Sequence, residues 1–383
     1  MLQYSAIGIQ NDVWTCAKRA DYKRNLEHVA NNIRRAVMIG GLDLPVRLVT
    51  LCEGALGGFT PWVGEGGHDK TYKVRAPDIP GEETDFLGKL CRELGIYLIG
   101  QMQAKDVDLM PDRVFNIAFI IDPRGQVIHK HRKTSFFPLE ASTAPSDIWD
   151  RYIEKYGDDP VKLFEAIYPV ARTEIGNIGT LVCAEGSYPE AARGLAMNGA
   201  EIIWRAQYPD PWLGNYMFEV QQRSHAIFNT CYVIAPNVAT YHTDLPGISK
   251  RETAMGMSQI IDYRGTIISQ KIGSGESYVS AIINIDGLRD FRVRGKWQNL
   301  IKDMRVEEYK VIYDAMMAKG GIYPRNLCME DSPLAAADQL ELVNHQVNRM
   351  VELGIYTPPP GWEPYTVKPE VLARIEKARR RYQ

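Results

Sequence analysis

The most constraining feature of this sequence is a regular alternation of two kinds of segment. Short apolar runs such as "YSAIGIQ", "VRLVTLCEG" and "YLIGQMQA" have the length and composition of buried strands. Between them lie segments with helical spacing, such as the one that places apolar residues at Leu26, Val29, Ile33 and Val37. Two hairpins, with Asp-Pro-Arg-Gly and Asp-Tyr-Arg-Gly at their turns, interrupt the alternation. The pattern predicts an α/β fold in which helices cover a mixed sheet.

The alternation stops near residue 288, which divides the 383-residue chain. We expect a domain over residues 1–287 and a polar extension over 288–383 that packs on the domain or on a neighbouring subunit. A long insertion interrupts the domain at about residues 141–168. Two interpretations remain open for this insertion: it is a lid over a reactive strand end, or it is a surface loop without a role in the site.

Composition and charge exclude several classes of protein. The formal net charge is −2, so no strong field favours a nucleic-acid or membrane partner. The sequence contains neither a basic and apolar leader nor an 18-residue apolar run. Its six cysteines are scattered and form no C-x-x-C pair, which argues against a zinc site and a disulfide framework. These features predict a cytoplasmic protein.

Three reactive side chains stand at predicted strand ends. Glu53 closes "LVTLCEG", Lys133 follows the first hairpin in "HKHRKTSFFPLE", and Cys183 closes "IGTLVC". Each alone has an ordinary explanation, as a solvated acid, a surface lysine and a core thiol. Together they can perform covalent hydrolysis, because a carboxylate can take the thiol proton and an ammonium can stabilise first a thiolate and then an oxyanion.

The motifs around these residues resemble those of the nitrilase superfamily of carbon–nitrogen hydrolases. In that family the lysine lies in Y-R-K or H-R-K, and the cysteine lies in C-x-x-x-x-x-P-E, followed by a helix and Gly-Ala. This chain has "HRK" ending at Lys133 and "CAEGSYPEAARGLAMNGAEIIW" beginning at Cys183. The resemblance covers about residues 5 to 290, and "CAEGSYPE" is most similar to the aliphatic amidase and formamidase branch.

The resemblance implies a fold and a reaction. The fold is an α-β-β-α sandwich that dimerises to α-β-β-α-α-β-β-α, with the helix after Cys183 at the interface and the extension around the partner. The reaction is hydrolysis of a primary amide through a thioester on Cys183, with Glu53 and Lys133 assisting and with no metal or organic cofactor. The family's second glutamate matches Glu140, seven residues after Lys133, although an exposed loop acid is the alternative.

Candidates for substrate contacts follow from the same resemblance. The backbone N–H of Ala184, next after the nucleophile, is an expected oxyanion donor. Candidates for an aromatic pocket lining are Phe59, Trp62, Phe137, Trp204 and Tyr208. The segment "LEAST" replaces the aromatic segment that narrows the pocket of small-amide hydrolases, which favours acyl groups larger than acetyl.

Alternatives remain open at several positions. Nitrilases usually carry Trp-Glu after the cysteine, whereas Ala184 follows Cys183 here, which argues against a nitrilase. An N-carbamoyl amide hydrolase and a catalytically silent scaffold are the other two possibilities. Cys52, which stands where the family usually has proline, is expected in the core. His129 and His131 lack a third metal ligand at suitable spacing and are expected on a solvated face.

Overall fold

The computed structural model describes residues 2–58, 68, 74–137, 140, 142–207, 216–242, 251–253 and 256–380. The strands are β1 (Gln3–Gln10), β2 (Val13–Trp14), β3 (Val46–Leu51), β4 (Tyr97–Lys105), β5 (Val114–Ile121), β6 (Val127–Arg132), β7 (Val170–Thr173), β8 (Gly176–Val182), β9 (Ile202–Ala206), β10 (Tyr232–Ala235), β11 (Thr240–His242), β12 (Arg251–Thr253), β13 (Gly256–Ile261), β14 (Ile267–Ile272) and β15 (Ser277–Asn284). The α-helices of the described residues are α1 (Tyr22–Gly40), α2 (Glu82–Leu94), α3 (Trp149–Tyr156), α4 (Pro160–Ile167), α5 (Pro189–Met197), α6 (Met217–Asn229), α7 (Ile285–Arg294), α8 (Val306–Ala318), α9 (Ala336–Glu352) and α10 (Pro369–Arg380).

Two six-stranded sheets form the centre of the protein. Their strand orders are β15-β1-β3-β4-β5-β6 and β14-β13-β10-β9-β8-β7, and a small third sheet has the order β12-β11-β2. Each large sheet has three parallel strands in the middle, β1, β3 and β4 in the first and β8, β9 and β10 in the second. The predicted hairpins add antiparallel strands at the edges.

Alternating side chains divide the core into three layers, because successive residues of a strand face opposite sides of the sheet. On β1, Ile7 packs in one cluster with Val29 of α1, whereas Ala6 packs in the cluster between the sheets. On β9, Ile203 packs with Leu195 of α5 in a third cluster. This arrangement is the predicted α-β-β-α sandwich, which is therefore confirmed.

The insertion and the extension both contribute to the first of these clusters. Ile148 and Tyr152 of the insertion are buried in it, and so are Leu327 and Val371 of the extension. The two segments also meet directly, since the backbone N–H of Cys328 donates to the carbonyl of Asp147 at 2.9 Å. Their apolar side chains therefore belong to the core of the domain.

The sheet topology places the reactive residues at one end of the sandwich. Glu53 follows β3, and Lys133 follows β6, which runs in the same direction because two antiparallel pairings separate β6 from β4. Cys183 follows β8 in the facing sheet. In the described part of the chain, no helix combines the length and the apolar character needed to cross a membrane.

Candidate active site

A buried lysine lies between two glutamates at this end of the sandwich. Lys133 is 1% exposed, and its Nζ donates to Glu140 Oε2 at 2.6 Å and to Glu53 Oε1 at 3.1 Å. A buried ammonium requires such partners, because leaving it without them costs several kcal/mol. The structure thus brings together Glu53, Lys133 and Glu140, three of the residues that the sequence motifs predict at the site.

Two amide side chains that no sequence motif pointed to complete this hydrogen-bond network. Asn116 Nδ2 donates to Glu140 Oε1 at 2.8 Å and to Glu53 Oε1 at 3.3 Å. Gln101 Nε2 donates to Asn116 Oδ1 at 2.6 Å, while Gln101 Oε1 accepts from the N–H of Gly54 at 3.0 Å. The available signal for both was an amide inside a largely apolar strand, Asn116 in "VFNIAFII" and Gln101 in "YLIGQMQA", where Gln103 is a second amide.

The electrostatics of the group follow from burial and pairing. Burial disfavours the charged form of Lys133, but the Glu140 and Glu53 carboxylates outweigh burial and raise the pKa of the ammonium above its usual value. Burial raises the pKa of Glu140, an effect that Lys133 opposes and the Glu53 carboxylate reinforces. The lysine is therefore a permanent cation at neutral pH.

Cys183 occupies the sharp turn where β8 ends. Its backbone has φ +50°, a left-handed conformation that is uncommon for a residue with a side chain and is typical of functional turns. Burial raises the pKa of its thiol to about 12, the Glu53 carboxylate acts in the same direction, and Lys133 and Arg205 oppose them. Cys183 thus lies at the same end of the sandwich as Glu53 and Lys133.

The carboxylate two residues after the cysteine is completely buried. Glu185 accepts hydrogen bonds from Thr134 N, Thr134 Oγ1, Val182 N and His131 Nε2. The expectation that His129 and His131 lie on a solvated face is wrong, because both face the second sheet, where His129 Nε2 meets Thr180 Oγ1 at 3.2 Å. Burial lowers the pKa of His129 to about 3.

The remaining predicted residues have different positions. Ala184 is half-buried in the turn Cys183–Ser187, and Phe137 is 41% exposed. Trp204 lies between the sheets, where its Nε1 donates to the carbonyl of Leu51 at 3.1 Å, so this ring fills the core. Cys52 is buried in the core, as expected. The other three aromatic candidates, Phe59, Trp62 and Tyr208, lie outside the described residues.

The arrangement contains the groups that nucleophilic hydrolysis needs. It offers a thiol on a strained turn, a carboxylate that can accept the thiol proton, and a fixed cation that can stabilise a developing oxyanion. The two carboxylates hold the cation in place, and Asn116, itself fixed by Gln101, holds the two carboxylates.

Comparisons with known proteins agree with this chemistry. Residues 5–293 match the profile of a family described as carbon-nitrogen hydrolase. The chain is 27% identical over 226 residues to the omega-amidase NIT2 of Xenopus tropicalis, which covers 58% of this chain and 74% of the relative. It is also 27% identical over 199 residues to a formamidase of Bacillus cereus (strain B4264), which covers 50% of each chain.

Solved structures share the fold. A carbon-nitrogen hydrolase from Helicobacter pylori G27 superposes with a TM-score of 0.62 at 20% identity, covering 81% of this chain and 98% of the other. Nit3 of Saccharomyces cerevisiae, a member of branch 10 of the nitrilase superfamily, superposes with a TM-score of 0.57 at 21% identity, covering 76% and 94%. An amidase from Nesterenkonia sp. gives a TM-score of 0.56 at 16% identity, covering 80% and 95%.

Proposed function

Because the chain belongs to the carbon–nitrogen hydrolase family, we propose that it hydrolyses a primary amide to a carboxylic acid and ammonia through a thioester on Cys183. The protein is a hydrolase of carbon–nitrogen bonds other than peptide bonds. One observation carries the finer proposal: Glu53 and Glu140 hold the buried Lys133 ammonium at the end of the sandwich where Cys183 follows strand β8 of the facing sheet.

The resting thiol needs a base. Because burial raises the pKa of the Cys183 thiol to about 12, the resting side chain is a thiol and not a thiolate at pH 7. Glu53 therefore accepts the proton from Sγ as Sγ forms a bond to the amide carbonyl carbon. The resulting oxyanion accepts hydrogen bonds from Lys133 Nζ and the N–H of Ala184, donors that are worth about 3 to 4 kcal/mol each in comparable sites.

Collapse of this intermediate completes the first half of the reaction. The carbon–nitrogen bond breaks, Glu53 returns the proton to the departing nitrogen, and ammonia leaves. Glu53 then takes a proton from a water molecule whose oxygen attacks the thioester, and the carbon–sulfur bond breaks to release the acid. The proton passes back to Sγ, so Glu53 acts as base and acid in turn.

A matched substrate series tests the chemistry. An amide, a nitrile and an N-carbamoyl compound with one common side chain should differ, with ammonia released from the amide fastest. Hydroxylamine should intercept the thioester as a hydroxamate. Varying the acyl chain tests the proposal, based on "LEAST" at 139–143, that acyl groups larger than acetyl are accepted. Carbon dioxide release from the carbamoyl compound, with the amide inert, would replace this proposal by a carbamoylase.

Two cysteine variants test the nucleophile. Cys183→Ala should lose turnover by several orders of magnitude while keeping its circular dichroism spectrum, because the turn is retained and only the thiol is removed. Cys52→Ala is the control, since this buried thiol precedes Glu53 and packs in the core. Full loss in Cys52→Ala with activity kept in Cys183→Ala would show that the nucleophile is misassigned.

We further propose that the protein assembles as a homodimer or a multiple of dimers. Helix α6 presents a stripe of exposed apolar side chains along one face, at Met217, Val220, Ile227 and Phe228. Helix α8 has no buried residue and exposes further apolar side chains, among them Val311, Ile312 and Met317. It is fixed to α5 by Tyr313, whose hydroxyl donates to Glu190 Oε1 at 2.6 Å. Apolar surfaces of this kind are typical of protein interfaces.

We also propose that the protein works in a reducing compartment, the cytoplasm. All six cysteines are free thiols, and five of them are buried. Cys52 and Cys91 are closed off from solvent in the core, and burial raises the pKa of each thiol to about 12.

A further inference from the structure

The carboxylate of Glu185 receives hydrogen bonds from two different elements. From its own strand end it accepts from the backbone N–H of Val182 at 2.7 Å. From the segment that follows β6 it accepts from Thr134 N at 2.8 Å and Thr134 Oγ1 at 2.7 Å. His131 Nε2, on β6 itself, lies 3.0 Å from both carboxylate oxygens. The side chain is fully buried, so water does not compete for these contacts.

Two of these donors are the sequence neighbours of the proposed nucleophile and of the buried lysine. Val182 immediately precedes Cys183, and Thr134 immediately follows Lys133. The β8 strand and the β6 strand belong to different sheets. A single carboxylate therefore joins the residue before the nucleophile to the residue after the lysine, across the gap between the two sheets.

We propose that Glu185 is a positioning residue, which sets the placement of the Cys183 thiol relative to the Lys133 ammonium by bridging the two strand ends. The inference rests on the proposed function, because it assigns Glu185 a task in that same site. Glu185 touches neither substrate nor the reacting atoms in this assignment; it acts through the two backbones that it holds.

The bridge depends on an ionised carboxylate. The backbone N–H groups of Thr134 and Val182 can only donate, the first to Oε1 and the second to Oε2, so both oxygens must act as acceptors. Burial alone would raise the pKa of Glu185, but His131, Thr134 and Val182 outweigh burial and hold that pKa below its usual range. A glutamine has the same shape, yet its NH₂ group would face either the Val182 or the Thr134 backbone N–H, and one end of the bridge would open.

The first experiment compares Glu185→Gln with the wild type on the best amide substrate. We expect kcat to fall about 100-fold with little change in KM, because small misplacements of reacting groups cost about this much. Glu174→Gln is the matched control. Glu174 lies just before β8, at the end of that strand far from Cys183, where it pairs with Arg47 at the exposed surface. Removing its charge should leave kcat unchanged. Wild-type kcat in folded Glu185→Gln would overturn the proposal.

The second experiment measures alkylation of Cys183 by iodoacetamide, which needs no substrate. Removing a negative charge alone would favour the thiolate and speed alkylation. Displacement of the Lys133 ammonium from the thiol should instead slow alkylation, because the thiolate loses a stabilising cation. We expect this second effect to dominate, so that Glu185→Gln is alkylated more slowly than the wild type. Faster or unchanged alkylation contradicts the bridge. Because this readout does not require amide turnover, it separates a failure of the Glu185 assignment from a failure of the proposed amidase activity.

A milder pair of variants keeps the proposal testable if Glu185→Gln does not fold. Thr134→Val removes the hydroxyl donor and keeps the shape, so alkylation and kcat should fall roughly tenfold, the equivalent of one hydrogen bond. Thr134→Ser retains the hydroxyl and should restore both. If Thr134→Val and Thr134→Ser behave alike, the hydroxyl contact to Glu185 plays no part in positioning, and the proposal is wrong.

Discussion

At the scale of single residues, the site depends on one cation shared by two carboxylates. Lys133→Met should abolish turnover and also destabilise the fold, because Glu53 and Glu140 would remain buried without their partner. Breaking a buried ion pair in this way costs about 3 to 5 kcal/mol. Urea unfolding measures the loss, and Lys130→Met is the control, since Lys130, on the strand β6 that precedes Lys133, donates to the carbonyl of Ile79 and pairs with no carboxylate among the described residues. Equal stability of the two variants would contradict the buried triad.

The role of Glu53 can be read from the sign of a rate change. The Glu53 carboxylate raises the pKa of the Cys183 thiol, so removal of its charge alone would speed alkylation by iodoacetamide. Removal of Glu53 as the base that accepts the thiol proton would instead slow alkylation. We expect Glu53→Gln to be slower at neutral pH, because the free thiolate is too rare to carry the reaction. A faster reaction would show that Glu53 acts on Cys183 only through its charge.

These residues differ in how well the sequence predicts them. Glu53, Lys133 and Cys183 are visible because each interrupts or closes an apolar run at a strand end. Asn116 and Gln101 escape notice, since an amide within a strand is interpretable only once its neighbours across the sheet are known. The sequence does not predict the burial of His129 and His131 for the same reason, because alternation on an edge strand does not reveal that a second sheet covers it.

At the scale of elements, the turn Pro145–Ile148 joins the insertion to the extension. Asp147 in this turn accepts from Ala144 N at 2.9 Å and from Tyr323 of the extension at 3.3 Å. Burial raises its pKa to about 6, above that of an unfolded aspartate. Between these two pKa values the folded protein binds a proton that the unfolded chain does not, so Asp147 lowers stability as the pH rises through this interval.

Asp147→Asn should remove this pH dependence. The difference in unfolding free energy between the variant and the wild type should shift in favour of the variant by on the order of 1 kcal/mol as the pH rises from 5 to 7.5. Denaturant unfolding at the two pH values measures the difference, and Asp158→Asn, at an exposed acid after the next helix, is the control. A constant difference between wild type and Asp147→Asn across this range would mean that the carboxyl titrates normally.

Element boundaries followed from local patterns, whereas the placement of the insertion did not. Helix α1 runs over Tyr22–Gly40, close to the periodic segment that predicts it, because its apolar positions fall on one buried face. The insertion has only short helices, and nothing in its composition indicates that Ile148 and Tyr152 are core residues. Their burial depends on partners in the extension, such as Leu327, which lies far away in the chain.

At the scale of the whole molecule, assembly and catalysis are linked through α6. Its His225 Nε2 lies 2.8 Å from the carbonyl of Gly186, and Gln221 Nε2 donates to Ser187 Oγ at 3.3 Å. Both partners belong to the turn that begins at the nucleophile. The exposed apolar stripe lies on the side of the same helix that faces away from its buried residues. A partner on that stripe would therefore stabilise the turn that presents Cys183.

The proposed dimer makes this link measurable. Val220, on α6, is 60% exposed, and we expect Val220→Asp to convert a wild-type dimer, or multiple of dimers, into a monomer, because a charge in an apolar interface loses its solvation. Light scattering gives the mass. The monomer should also show a lower kcat, since α6 would hold the nucleophile turn less firmly. Val161→Asp, at a similarly exposed position on α4, should change neither mass nor kcat. A monomeric wild type would contradict the proposed dimer. A fully active Val220→Asp monomer would show that assembly does not support catalysis.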